Sequence, residues 1–70
     1  MIEKITYCYW ESDSAILVHY ADGRIYGFWR STVYGWKQEH AADIATKAAV
    51  ISEEDFKKMW PDLKLPDFPK

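Results

Sequence analysis

The sequence predicts an α+β fold: a three-stranded antiparallel β-meander followed by two or three short helices and an extended C-terminal tail. Three observations predict it. Two apolar segments flank a turn at residues 21–23, and an alternating segment precedes them. The apolar period lengthens to helical spacing after Arg30. The chain's 3 prolines all lie within residues 61–70. We expect a single small domain over residues 1–70, because so short a chain leaves no room for a second.

The meander covers residues 2–30. In its first strand, residues 2–10, Ile5 and Tyr7 alternate with Thr6 and Cys8, which is the period of a strand. The polar segment Glu11-Ser12-Asp13-Ser14 predicts the turn that leads into the second strand.

The second and third strands form a hairpin whose loop has two alternatives. A two-residue loop, Asp22-Gly23, would pair Ala21 with Arg24. A three-residue loop would place Gly23 in the left-handed region and pair Tyr20 with Arg24. We favour the three-residue loop because it collects a uniform apolar set on one face, comprising Tyr20 and the pairs Val18–Tyr26 and Ile16–Phe28.

The opposite face of the hairpin is also largely apolar. It would carry Ala15, Leu17, His19, Ile25, Gly27 and Trp29. Antiparallel sheets commonly leave one face in water. We therefore expect this second face to be covered by a helix, by the tail or by a partner.

The first helical region spans residues 32–49. Its apolar stripe has gaps of three or four residues and consists of Val33, Trp36, His40, Ile44 and Ala48. Gly35 costs a helix roughly 1 kcal/mol relative to Ala. The region is therefore either one helix, or a short turn up to His40 followed by a better helix from Ala41 to Ala49.

The second helical region, residues 53–60, has a well-defined start. Ser52 is a suitable N-cap, and Asp55 follows three residues later. Ile51 and Phe56 occupy the two positions of a hydrophobic staple. Pro61 ends the helix, and residues 61–70 form the extended tail.

Composition excludes several classes of protein. A hydrophobic content of 49% with 17% aromatic residues argues against disorder. The single Cys8 rules out an internal disulfide and favours a reducing, cytoplasmic location. No apolar run approaches the roughly 18 residues of a membrane span, and the N-terminus lacks the pattern of a signal peptide.

No residue pattern predicts catalysis. His19, His40 and Cys8 are the side chains suited to metal binding or nucleophilic chemistry, and none has a second ligand at short spacing. We expect no catalytic residue, no metal and no cofactor, and hence a protein that is not an enzyme.

The excess of apolar side chains on both hairpin faces favours a small protein-binding module of the adaptor or inhibitor type. The expected partner is another protein, and a homodimer through the second face belongs to the same hypothesis. The tail either folds back on its own domain or docks on another chain. The candidate contact residues are Trp29, His19, Ile25, Leu65 and Phe68.

Binding of single-stranded nucleic acid or RNA is the alternative. The strand Arg24–Arg30 combines aromatic and basic side chains, on which bases can stack. The net charge of −2 disfavours this alternative, because phosphate binding needs an excess of Lys and Arg.

Residues 16–34 resemble KTSC-type small domains. The resemblance lies in Ile16-x-Val18-x-Tyr20-x-Asp22-Gly23-x-x-Tyr26-x-Phe28, continuing to Val33-Tyr34. It implies a hairpin followed by a short helix, and RNA or protein binding. The segment from Glu39 to Lys47 departs from that family's pattern, so the resemblance assigns no functional residue.

Overall fold

The computed structural model describes residues 1–69, which form one antiparallel sheet and two helices. The sheet has five strands in the order β4-β3-β2-β1-β5. In chain order the elements are β1 (Ile2–Trp10), β2 (Asp13–Tyr20), β3 (Ile25–Ser31), β4 (Gly35–Glu39), α1 (Ala41–Lys47), β5 (Ala49–Ile51) and α2 (Glu53–Met59). Neither helix of this described part is long and apolar enough to cross a membrane.

The predicted three-stranded meander is wrong. Four consecutive strands form the meander, and β5 returns to pair with β1, opposite Tyr7–Tyr9. Two short helices are present, and residues 61–69 contain neither helix nor strand. The last residue of the predicted tail, Lys70, lies outside the described residues.

The predicted register of the hairpin is confirmed. Ile16 lies opposite Phe28, and Val18 lies opposite Tyr26. The Tyr20 amide donates to the Arg24 carbonyl at 2.8 Å, which closes a three-residue loop. Gly23 has φ +94, the left-handed conformation that a residue without Cβ adopts at low cost.

The turn between β1 and β2 is shorter than the sequence predicts. It contains only Glu11 and Ser12, both with positive φ, at 50° and 65°. Positive φ at both loop residues is typical of a type I′ turn, whose twist matches that of the two flanking strands. Asn and Gly are the favoured residues in this turn. Asp13 and Ser14, predicted as turn residues, instead begin β2 and are buried.

The predicted helix over residues 32–49 is wrong in its first half. Residues 32–34 form a turn in which the Ser31 hydroxyl accepts from the amides of Val33 and Tyr34 at 3.2 Å. Gly35, with φ +77, then starts β4 as the partner of β3. The stripe was misleading because a gap of four residues is an even number, which fits a strand as well as a helix.

The predicted start of α2 is confirmed. The Ser52 hydroxyl accepts a hydrogen bond from the Asp55 amide at 3.0 Å. Ile51 packs against the same cluster that contains Phe56. Ion pairs one turn apart support the exposed side of this short helix: Lys57–Glu53 at 2.8 Å and Lys58–Glu54 at 3.2 Å.

The central strand β2 is buried on both faces of the sheet. On one face, here called the α1 face, Ile44 of α1 packs with Cys8, Ala15 and Leu17. The other, here called the tail face, is covered by α2 and residues 61–69; its buried residues are Ile16, Val18, Tyr20, Phe28 and, from α2, Phe56. Of the three covers expected for the second hairpin face, the structure shows a helix, α1.

Gly27 allows α1 to approach the sheet. A Cβ at this position would lie 2.7 Å from Ile44 Cδ1, 2.9 Å from the Glu39 carbonyl oxygen and 3.1 Å from Ala41 Cα. Two of these three atoms belong to the backbone and cannot move aside cheaply. The lack of a side chain at Gly27 thus sets the distance between α1 and β3.

We expect Gly27→Ala to lower the free energy of unfolding by about 1–3 kcal/mol, the usual cost of overpacking a well-filled core. Ile44→Val removes the Cδ1 atom nearest to the new methyl group, so the double variant should lose less stability than the two single variants summed. Urea denaturation measures all three. If the stability losses of the two single variants add up to the loss of the double variant within about 0.3 kcal/mol, the new methyl group does not contact Ile44.

Candidate functional site

The structure separates the five predicted contact residues. Trp29, His19 and Ile25 lie on the α1 face, whereas Leu65 and Phe68 belong to the tail that crosses the tail face. The sheet lies between the two groups, so the five side chains do not form one surface.

Trp29 has a structural role on the α1 face. Its indole Nε1 donates to the Trp10 carbonyl at 3.0 Å, and the two indole rings meet edge to face with centroids 5.6 Å apart. Both rings pack against the cluster of Cys8, Ala15, Leu17 and Ile44. Trp29, which is half-buried, therefore packs at the end of that core, and its role as a contact residue stays a prediction.

His19 and Ile25 lie opposite each other at the other end of the same face. His19 Nε2 lies 2.9 Å from the Thr6 hydroxyl oxygen. Burial, and then the charge of Lys4, lowers the pKa of His19, which favours the neutral ring. Ile25 is 47% exposed, and a lone exposed aliphatic side chain is common on protein surfaces.

Cys8 is inaccessible in this fold. It is 1% exposed beneath α1, and burial raises the pKa of its thiol, which keeps the sulfur protonated and unreactive. Across residues 1–69, no three His, Cys, Asp or Glu side chains lie close enough together to hold a metal ion.

The tail face carries a continuous group of aromatic rings. Tyr7 contacts Phe56 with ring centroids 4.8 Å apart, and Phe56 contacts Trp60 at 5.1 Å. Trp60 also stacks on Tyr9 at 6.2 Å. Trp60, the residue that ends α2, thus joins the helix to the exposed end of β1.

A cleft of about 490 Å³ opens beside Trp60 on this face. Arg30 of β3 and Trp36 of β4, which lie opposite each other in the sheet, form one side. The other side comes from the end of α2 and the start of the tail. We call this the Trp36–Trp60 cleft; its lining residues are Arg30, Trp36, Met59, Trp60, Pro61, Asp62, Leu63 and Lys64.

A second concavity of about 380 Å³ adjoins the first. Trp60, Pro61 and Leu63 line both, so they form a ridge between the two. Tyr7 and Lys57 line the second one, and burial followed by the charge of Glu53 raises the pKa of Tyr7. Leu65, one of the predicted contact residues, also belongs to this second concavity.

Arg30 places a positive charge in the Trp36–Trp60 cleft. Its Nη1 lies 3.8 Å from Oδ1 of Asp13, whose side chain is only 6% exposed. The same Oδ1 accepts from the Ser14 amide at 2.7 Å and from its hydroxyl at 3.2 Å. At 3.8 Å the ion pair contains no hydrogen bond. Within residues 1–69 the half-exposed guanidinium thus donates no hydrogen bond, and a group that enters the cleft can accept from it.

Sequence reasoning missed most of this cleft. Trp36 was placed on a helix, and its pairing with Arg30 becomes visible only once Gly35 is recognised as the end of a hairpin turn. Met59, which lines this cleft, is 47% exposed. The usable signal was Gly35, because glycine weakens a helix and is a strong indicator of a turn.

Comparisons with protein-family models, with curated proteins and with solved structures find no match for this chain. The resemblance of residues 16–34 to KTSC-type domains stays a prediction.

We expect Trp29→Ala to lower the free energy of unfolding by about 3 kcal/mol, because it removes a packed indole and its hydrogen bond. Ile25→Thr on the same strand should change it by no more than about 0.5 kcal/mol, since that side chain is half exposed and Thr keeps the β-branch. Thermal unfolding followed by circular dichroism compares the two. A Trp29→Ala chain as stable as the parent would return Trp29 to the surface as a contact residue.

Proposed function

We propose that this chain is a small non-enzymatic module that binds another protein through the Trp36–Trp60 cleft. The observation that carries this proposal is a half-exposed Arg30 that lines one cleft together with Trp36 and Trp60 and donates no side-chain hydrogen bond within residues 1–69. Trp, Tyr, Met and Arg are the residue types that dominate binding energy at protein interfaces.

The chemistry of the cleft defines its occupant. Trp36, Met59 and Trp60 offer apolar surface for one large side chain. Arg30 offers a planar set of donors that suits a carboxylate, and Lys64 adds a second cation at the rim. The proposed ligand is thus an extended segment of a partner protein that carries a carboxylate next to a large apolar side chain.

Charge supports a protein ligand over a nucleic acid. The chain has a net charge of −2, Asp62 lies on the rim of the cleft, and Asp13 pairs with Arg30. A phosphate backbone would need more cations than this surface offers. The homodimer was predicted because the second hairpin face is apolar. Helix α1 packs on that face, so its apolar side chains no longer argue for a second copy.

Selection from a random-peptide library displayed on phage tests the proposal. We expect the selected peptides to share an acidic residue near a large apolar one. Arg30→Gln should weaken their binding about tenfold or more, the value of a charge-assisted hydrogen bond. Lys37→Gln is the matched control, since it removes the same charge from the other face of the sheet. Calorimetry measures the affinities.

Met59→Gln is the second variant, because Met59 is half exposed and its replacement leaves the ion pair of Asp13 untouched. It should also weaken binding of the selected peptides. Peptides that bind both variants and the parent equally would place the docking surface elsewhere. Tight binding of single-stranded RNA with a steep salt dependence would replace the proposal by the nucleic-acid alternative.

A further inference from the structure

The tail, residues 61–69, lies along the tail face as an extended segment. Trp36 Nε1 donates to the Lys64 carbonyl at 2.8 Å, and the Tyr20 hydroxyl donates to the Pro69 carbonyl. Between these two bonds, the Phe68 ring packs against Phe28 with centroids 5.9 Å apart. Aromatic side chains of the sheet thus contact two carbonyl groups of the tail and one of its side chains.

Burial along the tail follows a period of three residues. Leu63, Pro66 and Pro69 are half-buried at this spacing, together with Phe68, while the intervening side chains of Lys64, Leu65 and Asp67 are exposed. Three residues per turn is the period of polyproline II, whose backbone makes no internal hydrogen bonds and leaves its carbonyls free to accept. Grooves lined by aromatic rings are a recurrent receptor for such segments.

The tail is held lightly compared with the rest of the fold. None of its described residues is fully buried, and it pairs with no strand. One backbone hydrogen bond, from the Leu63 amide to the Trp60 carbonyl at 3.2 Å, ties its start to the end of α2. Beyond that bond, side chains of the sheet hold the tail, and another segment with the same pattern can make the same contacts.

We propose that the surface beneath the tail is a binding site for an extended, proline-containing segment of another protein, and that the tail occupies this site in cis. We call the site the tail groove; its residues are Tyr20, Tyr26, Phe28 and Trp36. The seated tail specifies the ligand: an apolar residue, a proline three positions later, and an aromatic residue followed by a proline. This inference rests on the proposed function, because both require the chain to bind a partner's segment.

The cis contact makes the site self-regulating. A segment attached through a short linker competes at an effective concentration of roughly millimolar. A partner therefore binds measurably only if it exceeds the tail in affinity, or if the tail is weakened. Release of the tail also removes Leu63 and Lys64 from one wall of the Trp36–Trp60 cleft, so tail release and the shape of that cleft are coupled.

A synthetic peptide with the sequence of residues 61–70 and a nitroxide at its N-terminus tests the inference against the full ¹⁵N-labelled chain. In the parent, we expect weak binding because the tail competes. In Phe68→Ala, which removes the ring that contacts Phe28, we expect binding about tenfold tighter. The nitroxide should then broaden the Trp36 indole N–H signal and the amides of Tyr26 and Phe28.

Two further variants keep the result interpretable. Pro66→Ser loosens the tail without removing the Phe68 ring, and should act in the same direction more weakly even if Phe68→Ala fails to fold. Asp67→Asn, an exposed position with no contact to the groove, is the control and should match the parent.

Equal affinity of the peptide for the parent, Phe68→Ala and Pro66→Ser would overturn the inference, as would broadening away from the tail groove. Failure of the cleft is a separate outcome. It would appear as library peptides that bind Arg30→Gln, Met59→Gln and the parent equally, whereas the tail groove is tested by Phe68→Ala and Pro66→Ser, two positions outside the lining of that cleft.

Discussion

One constraint organises this fold: the central strand, β2, is apolar on both sides and must be shielded from water on both. Within residues 1–69 only two helices, of seven residues each, are present to do this. Helix α1 packs on the α1 face of the sheet, and α2 packs on the tail face. Gly27 lets α1 lie close to the sheet, and Ile44 is completely buried there. The other face is wider and more aromatic, and α2 alone does not cover it.

The tail completes the second cover, and it does so imperfectly. A segment with no helix or strand of its own satisfies few of its backbone groups internally, so it depends on the side chains of Trp36 and Tyr20 for its carbonyl partners. The incomplete cover leaves two adjoining concavities. It also leaves Arg30 half-exposed, with no side-chain hydrogen bond to residues 1–69. The same shortage of chain that brings the tail onto this face therefore also leaves the surface that we propose for binding.

The sequence predicted those parts of the fold in which turn chemistry and periodicity agree. Gly23 and the alternation of Ile16, Val18, Tyr26 and Phe28 fixed the hairpin register, and Ser52 with Asp55 fixed the start of α2. The missed parts are those where periodicity is ambiguous or absent. Trp36 and His40 fit a strand and a helix equally, and β5, with three residues, is too short to show any period. The cleft was missed with them, because its two sides meet only through the pairing of β3 with β4 and the end of α2.

Separate covers for the two faces are the claim on which the rest of the account depends, and proton–proton nuclear Overhauser effects in solution test it most directly. The account predicts effects between the Ile44 methyl groups and the side chain of Leu17, and between the rings of Phe68 and Phe28. No effect should join Ile44 to Phe28 or Phe56. Contacts of Ile44 with that second group, or a Phe68 ring without any contact to the sheet, would contradict the account.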